Sequence, residues 1–156
     1  MCGHHRGVLL EQHYAAALEI GRRRNDTESK EPDKINSSRD SYNVMRRHLM
    51  DLGHEEFWII LLNQGGKVIS TELISKGGLT GTVADPKIIF GIALKSNSSG
   101  ILLAHNHPSG NLKPSSEDLK ITRRLVEGGK LLNLAVLDHI ILTAHGFYSF
   151  ADEGLI

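Results

Sequence analysis

A single cysteine, Cys2, stands in 156 residues, which excludes an intramolecular disulfide and any zinc site built from several thiolates. An excess of either charge is also missing. With 18 basic and 18 acidic residues, the chain carries no electrostatic footprint for nonspecific nucleic-acid binding. No apolar run approaches the length that crosses a membrane, and no hydrophobic segment with a cleavage-like site opens the sequence. The expectation is a cytoplasmic protein. The length and the 40% hydrophobic content suffice to bury one core and are too small for two comfortable domains.

Against this plain background one stretch carries chemistry: Leu103-Ala104-His105-Asn106-His107-Pro108-Ser109-Gly110, followed by Ser115-Ser116-Glu117-Asp118. Ile101 to Ala104 is a short apolar run after the breakers Ser98-Ser99-Gly100, which reads as a buried strand. Alternation then projects His105 and His107 to the same side, about 7 Å apart along the strand. Pro108 cannot donate to a ladder, and Pro108-Ser109-Gly110-Asn111 is dense in turn formers, so the strand ends there. A helix begins near Ser115 or Ser116, where hydroxyl caps and first-turn acids precede the apolar set Leu119, Leu125, Val126. Asp118 sits in its first turn. There a carboxylate also complements the helix dipole, and Ser115-x-x-Asp118 is also the spacing of a capping box. Two imidazoles and one carboxylate leave a tetrahedral zinc one open position, the arrangement of a catalytic site. A water held there is acidified toward neutrality.

His105-x-His107-x10-Asp118, with Ser115 three residues before the aspartate, resembles the JAMM motif of MPN-type metalloproteases, and the wording around it resembles the RadC-like subgroup. Further matches are Gly81-Thr82-Val83, Asp85 to Phe90, Asp138-His139-Ile140-Ile141 and Ser149-Phe150, in order, from about Ser38 onward. The resemblance implies an α/β fold of three layers, α-β-α, with a mixed β-sheet flanked by helices as in cytidine deaminases. It implies a Zn2+ ion on His105, His107 and Asp118, and a peptide or protein substrate. It also implies an upstream glutamate as general base at the start of the first core strand. Glu56 in His54-Glu55-Glu56-Phe57-Trp58 is taken for that role; Glu55 is its immediate rival and Glu72 a weaker one. Since alternation sends Glu55 and Glu56 to opposite faces, at most one of them faces the metal. Ser115 is expected to offer its hydroxyl to the developing oxyanion.

Along the chain, residues 1–37 read as an N-terminal helix, Val8 to about Arg24, and a polar linker from Asn25 to Ser37. The cluster Arg22-Arg23-Arg24 suits the negative end of that helix, with nucleic acid as the other reading. His4 and His5 read as terminal residues outside any ligand set. Residues 38–156 form the expected core: a helix from Ser38 to about Leu52 stopped by Gly53, strands near Phe57 to Leu62 and Lys67 to Ile74 joined at Asn63-Gln64-Gly65-Gly66, and a helix from Asp85-Pro86 to about Leu94. The histidine strand, a helix from Ser115 to about Gly128, a strand from Leu134 to Leu142 and a closing segment Phe147 to Phe150 complete it. Asp138-His139 is a pair for orienting a ligand imidazole or for buried structure. His13, His48, His54 and His145 match no ligand spacing.

Three classes of function compete: a zinc metallopeptidase or isopeptidase, a DNA-repair-associated accessory protein, and a metal-binding interaction module without turnover. The set His105, His107, Asp118, Glu56 and Ser115 argues against the last, and the charge balance gives the second no support. The contiguous His-Asn-His triplet is not that of HNH nucleases, whose three residues lie far apart. Zinc deaminases need His-x-Glu and Pro-Cys-x-x-Cys, which Cys2 alone cannot supply.

Overall fold

The computed structural model describes residues 33–77 and 83–156. The expected N-terminal helix, Arg22 to Arg24, Cys2, His4, His5, His13, most of the polar linker, and Gly81 and Thr82 lie outside the described residues.

Helix α1 (Ser38–Leu49) starts where Ser37 caps the amide of Asp40 at 3.2 Å, and Asp40 in turn accepts from Asn36 N at 2.9 Å. Its buried residues Ser41, Val44, Met45 and Leu49 recur at helical spacing and form one stripe. The helix ends three residues before the expected Leu52. Met50 is already extended, and the left-handed residue of the turn is Asp51 (φ 66), not Gly53; aspartate is among the few non-glycine residues that accept that region. Strands β1 (Glu56–Leu62) and β2 (Val68–Lys76) form a hairpin across Asn63–Gly66, where Gly66 takes φ 79. Helix α2 (Pro86–Lys95) follows its cap Asp85, with Pro86 in the first turn, where a missing N–H costs nothing.

Then come β3 (Gly100–Asn106), α3 (Ser116–Leu131), β4 (Ala135–Thr143) and the short β5 (Gly146–Ser149). The sheet order is β2-β1-β3-β4-β5, with β3 and β4 parallel across the α3 crossover and every other neighbour pair antiparallel. Both faces of β1 and β3 are covered, which is why each reads as a near-continuous apolar run. On one face Phe57, Ile59, Ile101 and Leu103 pack with Ile89, Phe90 and Leu125 of α2 and α3. On the other, Ile60, Leu62, Leu102 and Ala104 pack with Val44, Met45 and Leu49 of α1. The result is the mixed sheet between helices that the sequence predicts.

Strand β4 carries one irregularity. Ile101 pairs with Val136 but Leu102 pairs with Asp138, so Leu137 is an extra residue in β4. Beyond this bulge the parity of β4 reverses: Ile140 and Leu142 lie in the α1 core, whereas Val136 lies in the other.

Two helical glycines should respond with opposite signs. A Cβ on Gly129 would stand 2.2 Å from the Leu134 carbonyl oxygen, so Gly129→Ala should cost about 1–3 kcal/mol or more. Gly91 in α2 has nothing within 4 Å of the same atom, so Gly91→Ala should add about 0.5–1 kcal/mol. Urea titration of the two variants reads both values.

Candidate metal centre

The centre assembles where β3 stops and α3 starts. His105 is the penultimate residue of β3 and lies on the α2/α3 face, its ring stacked 5.9 Å from Phe57. His107 lies just past the strand but keeps its register, because its N–H bonds Leu142 O at 2.9 Å. Alternation therefore carries through, and the two rings lean together until their Nε2 atoms are 2.9 Å apart. The loop closes at once: Gly110 N donates to His107 O at 3.0 Å, which needs the left-handed φ of 82 at Gly110. It brings the Asn111 carbonyl to 2.6 Å from His107 Nδ1.

Asp118 arrives from the helix. Ser115 caps α3, accepting from Asp118 N at 3.1 Å, while Asp118 Oδ2 accepts from both Ser115 N and Ser115 Oγ at 2.7 Å. This capping box fixes the carboxylate with Oδ1 3.2 Å from His105 Nε2 and Oδ2 3.5 Å from His107 Nε2. The same residues thus make the cap and the ligand. The His105 side chain is 2% exposed, His107 12% and Asp118 16%, so the centre is closed behind His105 and opens toward solvent beside the other two.

The donor set suits a cation. A carbonyl can only accept, so His107 Nδ1 must carry the proton given to Asn111 O, leaving a lone pair on Nε2. Three acceptors facing one another at these distances repel unless positive charge sits among them. A proton is one such charge: contact with Asp118 raises the His107 pKa above its ordinary value, outweighing burial. Asp118 answers in kind. Burial acts to raise its pKa, but contact with His105 and His107 and the hydrogen bond from Ser115 hold it far below the usual carboxylate range. A metal ion is the other such charge. One nitrogen from each histidine and one oxygen from Asp118 all lie within 4.8 Å of one another, and a tetrahedral ion with bonds of about 2.0–2.1 Å spaces its ligands by about 3.3 Å.

Behind the centre, His139 Nε2 lies 2.8 Å from His105 Nδ1, and His139 Nδ1 lies 2.6 Å from Thr122 Oγ1. Burial pushes the His139 pKa well down. Its neighbour Asp138 points elsewhere, accepting from Ser149 Oγ at 2.6 Å and Ala151 N at 2.9 Å to pin the C-terminal turn. Of the pair, only His139 touches a ligand.

Glu56 stands apart from the three ligands. Phe57 pairs with His105 and shares its face, so Glu56 lies on the opposite face. There its carboxylate meets His54 Nε2 at 2.9 Å, Trp58 Nε1 at 2.9 Å and Lys76 Nζ at 3.3 Å. Burial works to raise its pKa, yet these partners prevail and hold it below the ordinary value, the wrong direction for a general base. Glu55 lies on the metal side of that alternation, and its charge is felt at His107. Glu72 pairs with Ile59 on the edge strand, outside the ligand group. His48 stacks on Trp58 at 4.3 Å, and neither it, His54 nor His145 joins the ligands. Among the described residues, no helix is long and apolar enough to cross a membrane.

The chain is similar to known proteins over most of its length. The model of the RadC-like JAB domain matches residues 35–155. A UPF0758 protein of Flavobacterium johnsoniae is 44% identical over 140 residues, which are 90% of this chain and 61% of the relative. A UPF0758 protein of Porphyromonas gingivalis is 43% identical over 142 residues, 90% of this chain and 63% of the relative, and one of Alkaliphilus metalliredigens is 41% identical over 150 residues, 96% and 65%. The chain therefore spans about three fifths of the length of these relatives.

Because a metal ion must displace the proton that His107 favours, binding should weaken as pH falls through the raised His107 pKa and level off above it. Competition titrations with a chromophoric zinc chelator at pH 8 and pH 6 should give a weaker apparent Kd at the lower value. Equal affinity at both would remove His107 from the ligand set.

Proposed function

The chain belongs to the family of RadC-like JAB domains, and on that basis we propose that it is a zinc-dependent hydrolase of amide bonds, a peptidase or isopeptidase. The observation that carries the reading is the convergence of His105, His107 and Asp118 at one end of the sheet, open on one side. A His2Asp set is a hard-to-borderline set that suits zinc and leaves a position for water.

Zinc bound by these three residues would supply Lewis acidity, lowering the pKa of a ligated water and polarising the substrate carbonyl. The remaining roles fall to the chain. We assign the general base to Glu55: it would take the proton from the attacking water and return it to the departing amine. Its position on the face of Phe57 and His105 supports this, as does its backbone, whose carbonyl accepts from Gly77 N at 2.7 Å. Ser115, at the positive end of α3, gives its one hydroxyl proton to Asp118 and would turn it to the oxygen on which negative charge develops. No covalent intermediate on the protein is needed.

Two isosteric variants separate base from scaffold. Glu55→Gln should keep zinc and lose about 10²–10⁴-fold in kcat on peptide and isopeptide substrates. Glu56→Gln should keep both zinc and turnover but lose about 1–3 kcal/mol of stability, since it weakens the part-buried contacts of Glu56 with His54, Trp58 and Lys76. The Glu56 pKa is depressed below its ordinary 4.5, so that margin is full above this value and disappears as pH falls through the lower, folded-state pKa. Loss of turnover in Glu56→Gln with full activity in Glu55→Gln would reverse the assignment.

A further inference from the structure

We propose that Thr122 and His139 are positioning residues that set the tautomer of His105, so that its Nε2 presents a lone pair to the metal, and that they anchor this choice on the backbone of Asp118. The inference rests on the metal-site reading above and adds two residues to it.

Thr122 Oγ1 lies 2.6 Å from the Asp118 carbonyl oxygen, one helical turn earlier. Two oxygens approach that closely only with a proton between them, and the carbonyl has none, so the single hydroxyl proton of Thr122 is committed to Asp118. Thr122 Oγ1 must then accept from His139 across their 2.6 Å contact, which places the His139 proton on Nδ1. His139 is fully buried between the rings of Phe57 and Phe150, where a neutral imidazole with one proton is the favoured form. Its Nε2 is therefore an acceptor, and at 2.8 Å it takes the Nδ1 proton of His105. That leaves His105 Nε2 bare, on the side of Asp118 Oδ1 and His107 Nε2.

Each link points the same way, and reversal of any one would put a proton where the metal belongs. The other histidine reaches the same state by a separate, local route, the Asn111 carbonyl. The two ligands are thus set independently, one by a loop and one by a buried relay running from α3 through β4 to β3. The relay exists because of the bulge at Leu137. It shifts the parity of β4 so that His139 pairs with Leu103 and shares the face of His105, while Asp138 turns away. A straight strand would have put the aspartate beside His105. Gly100 leaves room for the displaced residue, since a Cβ there would meet Leu137 Cδ1 at 3.0 Å.

The test reads tautomers and metal affinity, not turnover. Long-range 1H–15N correlation spectra of the full chain without metal at pH 8 should show His105 and His139 as Nδ1–H tautomers. Thr122→Val removes the acceptor and should let His139 and His105 populate the other form, with zinc affinity falling about 10–100-fold; Thr122→Ser should restore both. A wild-type spectrum with His105 as the Nε2–H tautomer would overturn the proposal whatever the variants do. So would a folded Thr122→Val protein whose zinc Kd and His105 tautomer match the wild type. Failure of the wild type to bind zinc would count against the metal reading, and the spectra would still decide the relay.

Discussion

Lone pairs held face to face repel, and here two imidazole nitrogens lie 2.9 Å apart, each with a different oxygen of one carboxylate within 3.5 Å. Each is fixed from behind by a hydrogen-bonding group. His107 is turned by the Asn111 carbonyl, Asp118 by the two donors of Ser115, and His105 by His139. The cost of this convergence is met by rigid elements: a strand covered on both faces and the first turn of a capped helix. What relieves it is positive charge, and the rest of the site is arranged around where that charge goes.

The sheet divides labour between its faces. His105 and His107 face α2 and α3, whereas Asn106 between them turns the other way. Its side chain accepts from Glu56 N and donates to His54 O, each at 2.8 Å, clamping the backbone on either side of Glu55. Glu56, His54 and Lys76 gather on that second face as a charged cluster at the end of the α1 core. The middle residue of the His-Asn-His triplet therefore ties the start of β1 to the end of β3, and the position of Glu55 follows from it.

What could be read from sequence divides along the same lines. His105, His107, Asp118 and Ser115 were legible because their relation is local: alternation in one strand, a Pro-Gly loop and a helix cap. The capping roles of Asp85 and Pro86 were local too, and the structure has them. The choice between Glu55 and Glu56 was not legible, because alternation gives opposite faces but not which one faces the histidines. That depends on the pairing of Phe57 with His105, a contact between strands more than forty residues apart. The end of α1 was misread because Gly53 looked like the stop signal, while Asp51 took the left-handed turn. The bulge at Leu137 left no mark in the pattern, so nothing in Asp138-His139 said which of the two would meet His105.

Zinc content by elemental analysis of untagged protein, with His107→Ala and Asp118→Ala beside the wild type, reads directly whether these ligands hold an ion. The wild type should hold about one zinc per chain and both variants should lose it while remaining folded. A wild type that stays empty after zinc is supplied would contradict this, as would variants that hold the ion as tightly as the parent.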